Sequence, residues 1–306
     1  CLFSPLLSSV PCGTHLPKAS NRFQRFVIGG NNVTRVGKWP WQIRIFSHNW
    51  NGGKGMCGGT VISERWILTA GHCVRKKMED GNIFEATIFE AAGAITRGLD
   101  PENPRIINVA QAFTFANYTP LESDNDIALL KIENPLIFDH SISPICLPKF
   151  TQSIPTDGYA VAIGFGISNY RGTNQTVMDF QLREVIMPIV RRAVCDQRWT
   201  EETSNTGTVN EKYAQEQSEL HIICAGSMGH TLYRGDSGGP LMMKADDGRW
   251  FQVGVAAFVH EHHITDADVA PNAFMDIRPY CGWIKETTGG EASCQEEEVK
   301  LEDVQI

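Results

Sequence analysis

Short hydrophobic segments separated by turn-forming residues run through this sequence and limit its fold class more than any other feature. Five segments rich in β-branched or aromatic residues are clear, at 41–46, 65–69, 127–132, 159–163 and 251–258. Gly, Pro, Asn and Asp punctuate them, as is typical of strands joined by turns. The alternating helical stretches that a parallel α/β sheet needs are not evident. The pattern predicts an all-β barrel or sandwich, with helices only near 188–197 and from about 280 to 289.

The composition is that of an ordinary globular protein and excludes several classes. The 306 residues are 42% hydrophobic and 20% charged, with a net charge of −8, so neither disorder nor coiled coil describes the main body. An acidic chain lacks the surplus of Lys and Arg that phosphate binding needs, so nucleic acid is not an expected partner. No run approaches the roughly 20 apolar residues of a membrane span, so a membrane is not expected either.

The two ends of the chain differ in charge from its body. Residues 1–26 contain three Lys or Arg and no acidic residue, whereas residues 289–306 contain six acidic residues and one lysine. The C-terminal stretch follows Gly289 and Gly290 and has few large apolar side chains, which predicts an acidic, solvated tail. Residues 2–10 are apolar and fit either a signal-peptide remnant or a loosely packed leader.

The motif Gly-Asp-Ser-Gly-Gly-Pro at 235–240 is the sharpest chemical signal in the sequence. A serine between glycines lies on a backbone that turns tightly and brings its N–H groups close to a substrate. The serine hydroxyl is a poor nucleophile, so it requires an adjacent base that a third group orients. His72 follows an apolar strand, and Asp126 enters another apolar strand, where its carboxylate needs a partner such as His72.

In chain order, His72, Asp126 and Ser237 resemble the catalytic triad of the trypsin/chymotrypsin-like serine peptidases. The resemblance covers about residues 27–288 and includes Val-Ile-Gly-Gly at 27–30, Trp-Pro-Trp-Gln at 39–42, Cys-Gly-Gly-Thr at 57–60, Cys-Ala-Gly at 224–226 and Trp-Ile-Lys at 283–285. It implies two six-stranded antiparallel β-barrels, at about 27–145 and 157–280. The active site is then expected in the cleft between the barrels, and a helix is expected at the C-terminal end of the domain.

The same resemblance implies a role for each of these residues. Ser237 is the expected nucleophile, His72 the base that accepts its proton, and Asp126 the group that fixes the imidazole tautomer. The N–H groups of Gly235 and Ser237 are the expected oxyanion hole, where each donor is typically worth about 3–4 kcal/mol of barrier. The implied protein is a secreted, monomeric endopeptidase that acts on proteins or peptides. It needs no metal or cofactor, and protein protease inhibitors are further expected partners.

Members of this family are made as zymogens, and the present chain departs from the usual activation site. Residues 1–26 are the expected pro-segment, and cleavage frees the α-amino group of Val27 to pair with Asp236. An ammonium group buried without a good partner is strongly unfavourable. Arg25 lies one residue too early for a cut directly before Val27, whereas a cut after Phe26 requires a chymotrypsin-like activating protease. Both cleavage points stay open, and an N-terminus at Val27 is favoured.

Three positions of the expected S1 pocket predict the residue after which the enzyme cleaves. Thr231 stands where trypsins have an aspartate, so a buried Arg or Lys side chain would lack its counter-charge. Val259 and Asn272 replace two glycines that usually keep the pocket open. The sequence therefore predicts small or medium uncharged P1 residues such as Ala, Val or Thr, as in elastase-like members.

Two further departures from the family pattern keep other functions open. Tyr233 replaces a cysteine that usually bonds to the loop after Val259, and Ala257 replaces a serine that usually supports the buried aspartate. A catalytically weak or silent homologue that acts by protein binding is therefore the alternative. The serine motif also fits the Gly-x-Ser-x-Gly elbow of α/β hydrolases, although the strand–helix alternation of that fold is missing.

The nine cysteines are an odd number, so at least one has no partner within the chain. The resemblance implies three disulfides, Cys12–Cys146, Cys57–Cys73 and Cys195–Cys224. A turn at Gly289 and Gly290 would allow a fourth, Cys281–Cys294, and leave Cys1 over.

Two other patterns carry weaker predictions. Asn-x-Thr triplets begin at Asn32, Asn117 and Asn174 and predict at least one glycan on a secreted chain. The run His-Glu-His-His at 260–263 lacks the His-x-x-x-His spacing that places two ligands on one helical face. We interpret it as a solvated loop near the cleft rim, with a regulatory zinc site as the alternative.

Overall fold

The structure is a computed structural model, and it describes residues 10–14, 31–33, 37–48, 54–77, 83–85, 88–92, 106–116, 118, 125–167, 181–206, 221–259 and 267–304. The strands in chain order are β1 (Asn31–Asn32), β2 (Gln42–His48), β3 (Lys54–Ser63), β4 (Trp66–Thr69), β5 (Arg75–Lys77), β6 (Ile83–Glu85), β7 (Ile88–Ala92), β8 (Ile106–Thr114), β9 (Ala128–Ile132), β10 (Tyr159–Gly164), β11 (Arg183–Val190), β12 (Ile222–Ala225), β13 (Pro240–Ala245), β14 (Trp250–Phe258), β15 (Asn272–Asp276) and β16 (Leu301–Glu302). The described helices are α1 (Arg192–Thr206), α2 (Cys281–Thr287) and the 3-10 turns Gly71–Cys73 and Arg278–Tyr280.

The first half of the chain forms a closed antiparallel barrel. Its strands are hydrogen-bonded in the order β2-β3-β4-β9-β8-β7, and β7 pairs with β2 to complete the ring. Closure leaves no strand edge of the barrel unpaired. The barrel interior is filled by apolar side chains such as Ile43, Ile67 and Leu129, which have no exposed surface.

The second half forms a larger sheet that also closes on itself. The order is β11-β10-β13-β14-β15-β12, and β12 pairs back onto β11 through Ile189 opposite Ala225 and Val190 opposite Cys224. Strand β1 extends this sheet beside β11, and β16 extends it beside β13. The predicted all-β fold with two six-stranded antiparallel units is confirmed, and the α/β-hydrolase alternative is wrong because it requires strands that alternate with helices.

The five hydrophobic segments predicted as strands coincide with β2, β4, β9, β10 and β14. The first predicted helix was placed too early, because α1 begins at Arg192 and Pro188 lies within β11, opposite Tyr159. Residues 183–190 alternate between buried and half-buried side chains, which is the period of a strand. The predicted C-terminal helix is confirmed as α2. Within the described residues, neither α-helix is long and apolar enough to span a membrane.

The acidic segment 289–304 is tied to the body of the protein, while all six of its acidic residues are exposed to solvent, as the charge run predicted. It is tied to α2 by the disulfide Cys281–Cys294, and β16 pairs with β13. Gln152 holds its middle, since the Gln152 amide donates to the carbonyl of Val299 at 2.8 Å and accepts from the N–H of Val299 at 3.1 Å. The disulfide and these hydrogen bonds to the backbone hold the segment with few apolar contacts. Its attachment to the body is therefore not visible in the hydrophobic pattern of the sequence.

Candidate active site

His72 is held at the cleft by a short turn and a disulfide. It lies in the 3-10 turn Gly71–Cys73, which directly follows the fully buried strand β4. The neighbouring Cys73 is bonded to Cys57 of β3, with an S–S distance of 2.00 Å. The backbone on both sides of His72 is therefore fixed to the first barrel.

Asp126 orients this histidine through two hydrogen bonds. Asp126 is buried, with 3% of its surface exposed. Its Oδ1 accepts the backbone N–H of His72 at 2.7 Å, and its Oδ2 lies 2.7 Å from His72 Nδ1. Because a carboxylate can only accept, the proton of a neutral imidazole belongs on Nδ1, and Nε2 is left as the basic nitrogen.

Three residues that the sequence did not single out shape the surroundings of Asp126. Asn125 adopts a left-handed backbone with φ 55°, and its Oδ1 accepts the hydroxyl of Tyr280 at 3.0 Å. Tyr118 is buried, and its hydroxyl donates to the carbonyl of Arg75 at 2.8 Å. Burial, aided by the charge of Asp126, raises the pKa of Tyr118, so its phenol stays neutral. Asn125 is adjacent to Asp126 and Tyr118 precedes it by eight residues, whereas Tyr280 lies more than 150 residues away and left no signal in the sequence.

Ser237 lies on a glycine turn that docks against the first barrel. Gly235 and Gly238 have φ of 98° and 79°, a backbone region that favours glycine. A Cβ on Gly238 would overlap Thr69 Oγ1 and lie 2.5 Å from the carbonyl of Gly58, so only glycine fits this approach. The carbonyl of Ser237 accepts the N–H of Gly58 at 2.6 Å.

The structure brings the turn of residues 235–238, which we call the serine turn, next to His72. The sulfur of Cys73 is 3.7 Å from the Ser237 carbonyl oxygen and 3.9 Å from His72 Nε2. His72 and Asp126 thus come from the first barrel and Ser237 from the second, and the backbone of Ser237 lies against the Cys57–Cys73 disulfide beside His72. Among the described residues, Cys57, His72 and Cys73 lie close enough together to suggest a metal site. Cys57 and Cys73 are bonded to each other, however, so neither sulfur is available as a thiolate ligand.

Asp236 is buried directly beneath the serine turn. Its Oδ1 accepts the N–H of Gly166 at 2.7 Å, and its Oδ2 accepts the N–H of Tyr233 at 3.0 Å. Burial raises the pKa of Asp236 to about 6, although these hydrogen bonds and the charge of Arg183 oppose the shift. The carboxylate therefore lies in a site where a further positive charge would be strongly favoured.

The expected S1 positions form a closed polar pair. The amide of Asn272 donates to Thr231 Oγ1 at 2.9 Å, and its Oδ1 accepts the N–H of Leu232 at 2.9 Å. Thr231 and Asn272 are only 3% and 2% exposed, while Val259 is half-buried. No charged side chain belongs to this pair, and the Asn272 amide occupies the space that a glycine would leave open.

The structure contains four disulfides, which are Cys12–Cys146, Cys57–Cys73, Cys195–Cys224 and Cys281–Cys294. The third joins α1 to β12. Asn32 is half-buried on β1. Several predicted residues lie outside the described residues: Cys1, Arg25, Phe26, Val27, Asn117, Asn174 and 260–263.

Comparison with known proteins agrees with the sequence motifs and the fold. The family model described as Trypsin matches residues 27–284. "Serine protease filzig" of Drosophila melanogaster is 31% identical over 288 residues, which are 92% of this chain but only 15% of that protein. "Tryptase" of Mus musculus is 29% identical over 262 residues, covering 83% of this chain and 85% of that protein.

A solved structure titled "Structure of GrC" has the same fold. It superposes with a TM-score of 0.66 at 22% identity, over 85% of this chain and 99% of that one. At this identity the likeness bears on the fold alone. The family match over residues 27–284, together with the two closed barrels that meet at His72 and Ser237, shows that this chain belongs to the trypsin family of serine endopeptidases.

Proposed function

We propose that this chain is an active serine endopeptidase that uses Ser237, His72 and Asp126. The observation that carries the proposal is the two-point hydrogen bond of Asp126 to His72, at 2.7 Å to the backbone N–H and 2.7 Å to Nδ1. That arrangement fixes the tautomer in which Nε2 can accept a proton. A merely structural histidine has no need for a buried carboxylate that holds both groups.

The proposed reaction proceeds in two halves through an acyl-enzyme. Ser237 Oγ attacks the scissile carbonyl carbon while His72 Nε2 takes the hydroxyl proton, and the N–H groups of Gly235 and Ser237 stabilise the oxyanion. His72 then gives this proton to the leaving amine as the C–N bond breaks. Water then attacks the acyl-enzyme while His72 takes its proton, and His72 returns that proton to Ser237 Oγ as the acyl group leaves. This is the scheme established for the family.

A silent homologue that acts by binding is the competing function. Ala257 replaces a serine that the family usually has, and Tyr233 replaces a cysteine of the usual disulfide. A fluorophosphonate reagent separates the two functions, because it reacts only with a serine that an adjacent base activates. We expect covalent labelling at Ser237 in the processed chain and none in the His72→Ala variant. A processed chain that folds but resists labelling would support the silent homologue.

We also propose that the chain is a zymogen activated by cleavage before Val27. Strand β1 lies beside β11, with Asn31 opposite Glu184, and Glu184 lines the pocket that contains Asp236. Four residues span at most about 14 Å, so the amino group of Val27 can reach that pocket from β1. N-terminal sequencing of the active enzyme should give Val27, and a sequence that begins at Phe26 would contradict the proposal.

The pair of Thr231 and Asn272 supports a preference for small or medium uncharged P1 residues. An Arg or Lys side chain would lose its hydration against two neutral groups and gain no counter-charge. We expect a peptide library to be cleaved mainly after Ala, Val or Thr. Cleavage mainly after Arg or Lys would refute this specificity.

Secretion, partners and oligomeric state are part of the same proposal. Four disulfides in the described residues favour an oxidising compartment, as outside the cell. The partners proposed are protein or peptide substrates, an activating protease and protein protease inhibitors, and the enzyme is proposed to be a monomer. Gel filtration and detection of the chain in culture medium test these points.

A further inference from the structure

The pocket beneath the serine turn contains a cation of its own. It is a small cavity of about 10 Å³ that lies between β10, β11 and the loop that precedes Ser237. Its acidic end is Asp236, and Arg183 of β11 is among the residues that line it. Arg183 is 6% exposed, so its guanidinium is also withdrawn from water.

The register of the sheet directs Arg183 towards Asp236. Arg183 lies directly opposite Gly164 of β10, and opposed residues of an antiparallel pair point to the same face. A Cβ on Gly164 would overlap Asp236 Oδ1, so the face of the sheet that carries the Gly164 and Arg183 side-chain positions is the one nearest the Asp236 carboxylate. Opposed Cβ atoms are about 5 Å apart, a distance that an arginine side chain easily spans.

The other charged groups near the pocket do not take this role. Glu184 has the same sign as Asp236, and its carboxylate receives hydrogen bonds from Lys38 and Trp39. Arg44 stacks on Phe165, with 5.3 Å between its guanidinium carbon and the ring centroid. Tyr233 also lines the pocket and donates its backbone N–H to Asp236. Arg183 is the cation whose charge opposes the rise of the Asp236 pKa.

We propose that Arg183 is a positioning residue that supplies the counter-charge of Asp236 before the chain is cleaved. The inference rests on the proposed activation through Asp236 and goes beyond it. Asp236 accepts the N–H of Gly166 beneath the serine turn, and Arg183 lies opposite Gly164 on the face of the sheet nearest this carboxylate, so Asp236 has a cation beside it that cleavage does not create. The uncleaved chain should therefore hold part of its active geometry and have activity of its own. In the processed chain the Val27 ammonium takes over this role.

A stability cycle tests the pairing without reference to activity. The full, uncleaved chain is studied in a Ser237→Ala background, with Arg183→Gln, Asp236→Asn and both together. At pH 5 Asp236 is largely protonated, and at pH 8 it is ionised. We therefore expect Arg183→Gln to lower Tm by about 5 °C more at pH 8 than at pH 5. That difference should vanish in Asp236→Asn, and Arg183→Lys should restore most of it. An equal loss at both pH values would overturn the pairing.

An activity arm tests the consequence. The junction is made uncleavable with Arg25→Gln and Phe26→Gln, and fluorophosphonate labelling of Ser237 is timed. We expect Arg183→Gln to slow labelling of the uncleaved chain at least tenfold and that of the processed chain less than threefold. Arg278→Gln, which removes a partly buried ion pair with Asp276 elsewhere in the barrel, is the control and should leave this ratio unchanged.

The results distinguish this inference from the proposed function. Equal slowing of both forms by Arg183→Gln, or an uncleaved wild-type chain that does not label at all, would overturn the inference. Failure of the processed wild-type chain to label would overturn the peptidase function instead. The pH-dependent stability cycle would still report on Arg183 and Asp236 in that case.

Discussion

Replacement of Asp126 by asparagine is the sharpest perturbation of the proposed machinery. Both oxygens of Asp126 accept from His72, one from its backbone N–H and one from Nδ1. An asparagine has only one acceptor oxygen. The backbone N–H of His72 can only donate, so the asparagine oxygen must remain its acceptor. The asparagine NH₂ group must then face Nδ1 of His72. The imidazole is then forced into the tautomer with its proton on Nε2, which can no longer accept a proton from Ser237.

The size of this effect follows from the contacts that are lost. One charge-assisted hydrogen bond in a site that is 3% exposed is worth about 1.5–3 kcal/mol. The wrong tautomer and the uncompensated imidazolium of the transition state add to this loss. The same change in a chymotrypsin-type triad lowers kcat by about 10⁴-fold, which corresponds to about 5.5 kcal/mol. That figure belongs to the family, and we expect a loss of the same order here.

The assay is kcat for a small peptide ester or amide with processed Asp126→Asn enzyme. Asp276→Asn is the matched control, because Asp276 is also buried and ion-paired, with Arg278, but lies outside the cleft. The control should keep kcat within about threefold, and its Tm should show any general cost of removing a buried carboxylate. An Asp126→Asn enzyme that is folded and loses less than tenfold in kcat would refute the reasoning.

Three further predictions concern the turn, the buried carboxylate and the C-terminal segment. Gly238→Ala should abolish fluorophosphonate labelling, because the new Cβ overlaps Thr69 Oγ1 and φ is 79°; labelling at the wild-type rate would contradict this. Since the pKa of Asp236 is raised to about 6, the cost of burying its charge is absent below about pH 4 and complete above pH 6. In calorimetry of the uncleaved chain, the Tm of Asp236→Asn minus the Tm of wild type should therefore increase as pH rises from 4 to 7. A Tm difference that does not change with pH would contradict this prediction. Removal of the Cys281–Cys294 disulfide by double alanine substitution should lower the urea-derived free energy of unfolding by about 3 kcal/mol, whereas an unchanged value would show that the segment is held by its hydrogen bonds alone.

Local pattern was sufficient to predict five of the sixteen described strands and to single out the residues of the proposed triad. Each of the five hydrophobic segments became a strand because alternating or fully apolar runs bury well only in a sheet. His72, Asp126 and Ser237 stood out because each lies in a short motif whose residues have a chemical reason to be there. Their order along the chain, and not their distance in sequence, indicated that they meet.

Features that depend on distant parts of the chain could not be predicted from sequence. Arg183 had no recognisable motif, since its importance comes from lying opposite Gly164 across the sheet. Tyr280 reaches Asn125 from the C-terminal end of the domain. The contact of Gln152 with Val299, which holds the acidic segment after its predicted disulfide, joins residues 147 positions apart and left no signal in the sequence.

The central claim is that Ser237 cleaves peptide bonds with His72 as its base, and the most direct measurement is turnover by the processed chain. Mass spectrometry of an unlabelled protein or peptide substrate should show new termini that accumulate with time beyond one equivalent of enzyme. The Ser237→Ala and His72→Ala variants, matched for Tm, should show no accumulation above background. Turnover that persists in Ser237→Ala, or no turnover by the processed wild-type chain on any peptide of a library, would contradict the account.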